Sequence, residues 1–157
     1  MPSIIPQLTF ISSATANTAT VSFTTLSSTY SGFRFYWSNL VLGAGVQLGI
    51  RCSTNGGSTY DSGSNYMYQN NQGGASSSAG TSFQINNNSA SNLNSGFCDV
   101  LYLNNANNLV TFTSKNTNVS TPYTASGFYM VQGAVNALRF VTGTGFTSGT
   151  IYLYGIT

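Results

Sequence analysis

Asp61 and Asp99 are the only carboxylate side chains in the sequence, and a carboxylate pair is the smallest set that could run general acid–base chemistry. Such a pair needs its two carboxyls roughly 5–9.5 Å apart, one of them with a raised pKa. The surroundings point elsewhere. Asp61 sits in Thr59-Tyr60-Asp61-Ser62-Gly63-Ser64, where an Asp closes a turn on its own backbone. Asp99 falls inside a strand-like run, where pairing with Arg51 or Arg139 is the expected use. Asp61-Ser62-Gly63-Ser64-Asn65 has the outline of a calcium loop, yet a hard cation takes several oxygen ligands, usually with more than one carboxylate. A serine nucleophile would need a base, and the sequence has no His and no Glu. Lys115 could serve only if buried and depressed, and its neighbours Ser114, Asn116, Thr117 and Asn118 read as a solvated turn. A zinc site would have to combine Cys52, Cys98 and the two Asp without the short spacings such sites use. The expectation is a non-enzymatic protein with no catalytic residue, no cofactor and no metal.

The same scarcity of ions limits the partners. Charged residues are 4 % of 157, against a usual ~25 %, so the surface is wetted by Ser, Thr, Asn, Gln and Gly. The four cations, Arg34, Arg51, Lys115 and Arg139, are scattered along the chain and cannot neutralise a row of phosphates, so no nucleic-acid partner is expected. No window approaches the ~20 apolar residues of a membrane helix, and Met1-Pro2-Ser3-Ile4-Ile5-Pro6-Gln7 lacks a basic region followed by an apolar core. Neither a membrane partner nor a secretory signal is expected, and folding in a cytoplasm is. Cys52 closes the alternating run Val46, Leu48, Ile50, Cys52, and Cys98 lies in Phe97-Cys98-Asp99-Val100-Leu101. Both read as buried free thiols that behave as small hydrophobes, with one disulfide between them as the alternative.

The elements that carry these residues follow from periodicity. No stretch sustains a 3.6-residue apolar repeat, whereas short period-2 or aromatic-rich runs recur throughout. Strands are expected near 8–11, 20–25, 33–40, 46–53, 65–69, 82–86, 97–103, 109–113, 127–132, 137–142 and 150–154. Loops are expected at Ser53–Ser58, Asn70–Gly80 and Asn86–Asn94, where Gly and Asn tolerate positive φ. The glycine-rich segment Gly143–Gly149 is read as a hairpin loop rather than a phosphate cradle, because it opens no helix. Many short strands between such turns indicate one all-β domain over 1–157, a two-sheet antiparallel sandwich, jelly-roll-like, with an N-terminal arm over 1–15. Phe33, Phe35 and Trp37 should face the core, opposite Arg34, Tyr36 and Ser38; Leu138 and Phe140 should oppose Arg139 and Val141. Ile151 and Leu153 should oppose Tyr152 and Tyr154. The last two strands carry apolar material on both sides, so their second face should be covered by something.

Aromatic residues, at 13 %, are the remaining resource. Tyr60, Tyr66, Tyr68 and Tyr123 lie beside Asn- and Ser-rich loops and are the candidate contact residues. Their rings could stack on a sugar while neighbouring amides bond its hydroxyls, or they could serve packing and subunit interfaces.

Three segments carry a likeness. The segments Tyr30–Leu40 (YSGFRFYWSNL), Val46–Asp61 (VQLGIRCSTNGGSTYD) and Asn136–Ile156 (NALRFVTGTGFTSGTIYLYGI) together resemble small structural proteins of tailed bacteriophages. The resemblance implies a jelly-roll-like domain on a virion, made in the bacterial cytoplasm and present in symmetric copies, most simply a homotrimer. It implies a capsid decoration or cement role, with the major capsid protein or tail proteins as partners. The alternative it leaves is a tail- or fibre-associated receptor- or carbohydrate-binding module. No catalytic residue is carried over by it.

Overall fold

A computed structural model describes residues 7–43, 47–71, 76–86, 93–118 and 122–157, with residues 76–78 described by backbone alone. Residues 1–6 of the expected arm, Val46 and most of the expected Asn86–Asn94 loop lie outside the described residues. Among the described residues twelve strands are present: β1 (Leu8–Thr15), β2 (Thr20–Phe23), β3 (Gly32–Leu42), β4 (Gly49–Ser53), β5 (Tyr66–Asn70), β6 (Ser76–Gly80), β7 (Phe83–Gln84), β8 (Leu93–Leu101), β9 (Thr111–Thr117), β10 (Pro122–Tyr129), β11 (Ala137–Val141) and β12 (Phe146–Ile156). They form an eight-stranded sheet, β1-β12-β3-β8-β9-β10-β5-β6, and a four-stranded sheet, β2-β11-β4-β7, both antiparallel. The two pack face to face as a sandwich.

The connectivity is ordered. With the β5–β6 and β9–β10 hairpins set aside, the remaining strands run β1-β12-β3-β8 in one sheet and β2-β11-β4-β7 in the other. The chain changes sheet at every step except from β4 to β7, which is the double Greek key of a jelly roll. The two hairpins extend the large sheet on one side only.

Alternation decides which side chains meet between the sheets. Phe33, Phe35 and Trp37 of β3, Leu138 and Phe140 of β11, and Ile151 and Leu153 of β12 are all buried. Phe23, Phe35, Trp37 and Phe140 pack edge to face, with ring centroids 5.2–6.2 Å apart, an arrangement that adds to simple area burial. In β3 the buried positions slip from odd numbers to even after Trp37, as Leu40 and Leu42 take over. A β-bulge at Ser38–Asn39, with Asn39 at φ 51°, produces that slip. Gly149 of β12 lies directly against it at φ 118°; a Cβ there would come within 2.6 Å of the Leu40 backbone, so only glycine lets the two strands bend together.

A chain of buried amides ties the sheets to one another. The Trp37 indole N–H donates to Asn116 Oδ1 (2.7 Å), and the Asn116 and Asn86 amides both donate to Asn94 Oδ1 (3.1 and 3.0 Å). Asn94 donates in turn to the Leu40 carbonyl, and the Leu48 N–H donates to Asn86 Oδ1. Asn86, Asn94 and Asn116 are at most 1 % exposed. Each buried polar atom so satisfied would be costly to leave unpaired, which fixes the pairing of these strands more strictly than apolar contact could.

Four local expectations are corrected. Residues 8–15 are not a free arm but the edge strand β1, held on β12. Ser76–Gly80, read as loop, forms β6 on β5, because backbone pairing does not need apolar side chains. Lys115 lies in the middle of β9 rather than in a turn; Ser114 and Asn116 on either side of it face inward and are hydrogen-bonded there. Gly143–Gly149 is no hairpin, since β11 and β12 belong to different sheets and the segment crosses between them.

Candidate functional site

The residues expected to carry chemistry are dispersed and internally satisfied. Asp61 does close its own turn, accepting from the Gly63 N–H (2.7 Å), and also takes the Asn65 amide (2.7 Å) and the Tyr129 hydroxyl (2.6 Å). Burial alone would raise its pKa, but these three donors outweigh that and hold the carboxyl below its ordinary range. Asp99 pairs with Arg34, not with Arg51 or Arg139. The β3–β8 register sets Arg34 directly opposite it, and two parallel N–H···O bonds of 2.5 and 2.6 Å join them. Cys52 and Cys98 are free and buried, and burial pushes both thiols up, away from the reactive thiolate. Among the described residues no three of His, Cys, Asp and Glu come together as a metal ligand set.

The four tyrosines do not make a common platform. Tyr66 is fully buried, its hydroxyl accepting from the Cys52 N–H and donating to the Asp61 carbonyl. Tyr123 is 6 % exposed and faces inward from β10. Tyr68 is half-buried against the core. Tyr60 lies under the guanidinium of Arg139, whose carbon is 3.8 Å from the ring centroid. Proximity to polar loops suggested surface rings, but strand parity turns Tyr66, Tyr68 and Tyr123 toward the interior.

A set of aromatic rings lines the outer face of the large sheet. Phe10 of β1 meets Tyr154 of β12 (centroids 5.6 Å), Tyr154 meets Tyr36 of β3 (5.6 Å), and Tyr36 meets Phe97 of β8 (5.9 Å). This ladder crosses four adjacent strands. The Arg34 guanidinium stands over Tyr36 and Phe97, at 5.8 and 4.8 Å from their centroids, with Asp99 neutralising it. Leu8 opposite Ile156 extends the apolar strip toward one end of the sheet, and Leu8 and Phe10 are 40 % and 56 % exposed. The signal was present in the sequence as Arg34, Tyr36, Tyr152 and Tyr154 alternating with core residues; what was missing was the pairing that brings Phe10 and Phe97 alongside.

The outer face of the small sheet is of another kind. Ser22, Arg139 and Arg51 form one row across β2, β11 and β4. Here two cations stand at directly opposed positions, and among the described residues no salt bridge reaches either.

Among known proteins, no protein-family model, curated protein or solved structure matches this chain.

Proposed function

We propose that this is a non-enzymatic structural protein that assembles with copies of itself through the aromatic outer face of its eight-stranded sheet. The observation that carries the reading is the Phe10–Tyr154–Tyr36–Phe97 ladder, four rings in successive contact along one strip of the outer face, Phe10 exposed and the other three half-buried. Aromatics and Arg are what interface centres enrich, because they cover much area with few rotamers to freeze. The occupant that fits best is a second copy: Arg34 within the ladder is already neutralised by Asp99, which leaves Lys115, opposite Phe97 on β9, as the cation of this face without a salt bridge among the described residues. With a formal charge of only +2 on 157 residues, long-range self-repulsion is weak. Closed symmetry is the ordinary outcome of such contacts, and the trimer and the placement on a phage capsid as a decoration protein come from the sequence likeness alone.

The test is the oligomeric state in solution. Light scattering after size exclusion should give a trimer at micromolar concentration, unchanged between 50 mM and 1 M NaCl, since screening has little to act on. A monomer in both buffers overturns the assembly. The virion placement is tested separately: added protein should raise the temperature at which purified capsids of the parent phage rupture, and binding of glycans with no effect on rupture would favour the receptor-binding module instead.

A further inference from the structure

We propose that the cleft between the β2–β3 and β8–β9 loops is a binding site for a neutral saccharide. The cleft has a volume of about 490 Å³, within the ~300–1,000 Å³ of small-molecule sites. Ser28 and Tyr30 line it from one loop, and Tyr102, Asn104, Asn105 and Asn107 from the other. No charged side chain is among its lining residues. An ionic ligand would find no counter-charge there, and an apolar one would strip water from amides and hydroxyls without replacing their hydrogen bonds. A sugar offers what this lining can use, hydroxyls for the amides and a C–H face for a ring. The cleft shares no residue with the Phe10–Tyr154–Tyr36–Phe97 ladder, so sugar binding and self-assembly can fail independently.

Tyr102 is the residue on which this rests. Of the ten tyrosines in the chain it alone is exposed, at 48 %, and its backbone stands at φ 65°, a conformation that a bulky residue keeps only when its surroundings impose it. Asn104, at φ 59°, ends the same turn. Its N–H donates to the Val135 carbonyl (2.9 Å), its amide donates to the Leu26 carbonyl (2.8 Å), and Leu103 between the two residues is buried. The turn is therefore fixed from within, while the ring it carries stays outside the core. The opposite wall is fixed too. The Tyr30 ring packs on Phe33 (centroids 5.7 Å) and lies against Gly155, where a Cβ would come within 2.3 Å of it. Asn105 Oδ1 accepts from the Asn107 N–H (2.9 Å), which leaves the two donors on its Nδ2 for a ligand. The side-chain polar groups of Ser28 and Asn107 and both tyrosine hydroxyls have no hydrogen bond among the described residues. Walls set before the ligand arrives lose little freedom on binding it. The stacking chemistry that proximity to polar loops suggested for Tyr60, Tyr66, Tyr68 and Tyr123 is available here instead.

The experiment titrates the full chain with the methyl glycosides of glucose, galactose, mannose and N-acetylglucosamine while backbone amide resonances are followed. At least one sugar should give saturable shifts centred on the two loops that line the cleft. Y102G removes the ring and suits the positive φ, so it should melt no lower than the wild type and bind about tenfold more weakly or worse. N105A, at an exposed position, is a second test and should weaken binding about threefold or more. Glucuronate should bind no better than the best neutral sugar, because the cleft has no cation for its carboxylate. A further arm uses beads carrying a polymer of the sugar that binds. Retention competed by the free glycoside assigns the ligand to a glycan chain; shifts without retention assign it to a free sugar. No saturable shift with any of the four glycosides, wild-type affinity in folded Y102G and N105A, or tighter binding of glucuronate overturns the proposal.

Discussion

The two outer faces of this sandwich are built on the same plan and end in opposite states. On the large sheet, the cation Arg34 has an anion opposite it in register and aromatic rings beneath it. On the small sheet, the cation Arg139 has another cation opposite it, with a ring beneath. Strand register, not composition, makes the difference: it sets Arg34 against a carboxylate and Arg139 against a second cation. The first suits a surface of its own kind.

That contrast can be broken most strongly on the large sheet. Replacing Tyr36 and Tyr154 by Asp would place two unpaired carboxylates in the proposed interface and should shift assembly toward monomer at least about a thousandfold, ~4 kcal/mol. Sedimentation equilibrium reads this directly, and the same double change made at Ser22 and Thr20 on the small sheet should leave the oligomer intact. A persistent oligomer in the tyrosine variant would move the interface elsewhere.

Next in size is a test of what lies beneath each face. Cys98 is buried on the inner side of the large sheet and Cys52 on that of the small one. Both thiols have folded-state pKa values raised by burial. In the unfolded chain they ionise near pH ~8.5. Above that pH the unfolded state has lost protons that the folded state keeps, so stability falls as pH rises. The slope is about 1.4 kcal/mol per pH unit for each thiol, about 3 for the two. Denaturant titrations between pH 8 and 10 should show it, with C52A and C98A each removing about half. Tyr66 and Tyr129, also raised by burial, steepen the loss above pH ~10. Asp61, held low, adds a loss in acid as its folded carboxyl protonates below the ordinary range. Between about pH 5 and 8 stability should stay flat, for want of histidine.

Smaller still is the effect of breaking the ion pair on the large sheet. D99N leaves Arg34 without its bidentate partner. The two side chains are 28 % and 22 % exposed, between the surface and buried limits, so a loss of about 1–2 kcal/mol is expected in urea unfolding. The smallest effect has the opposite sign. R51Q should raise stability by a few tenths of a kcal/mol, because it relieves the opposed cations. A destabilised R51Q would mean that Asp61 already compensates the pair.

The sandwich and its core were legible in the alternation of Phe33, Phe35 and Trp37 against Arg34, Tyr36 and Ser38, because burial of one face leaves a period of two in the sequence. The closing turn at Asp61 and the free thiols were legible for the same local reasons. The partner of Asp99 was not, since choosing Arg34 over Arg51 or Arg139 requires knowing which strands are neighbours. β9 was read short because its buried positions include Ser114 and Asn116, polar residues made acceptable inside by hydrogen bonds contributed from distant strands. Phe10 and Phe97, separated by most of the chain, gave no sign that they end the same ladder.

The placement of β1 beside β12 has a consequence in time. Thr15 ends the first strand and Phe146 begins the last, about 130 residues later. At ~5–20 residues per second of synthesis, a nascent chain carries its first strand unpaired for roughly 7 to 26 s. Only when β12 emerges does Tyr154 arrive to meet Phe10 and Tyr36. The surface that would recognise another copy is thus completed last, and a half-made chain cannot present the whole ladder to its neighbours on the polysome.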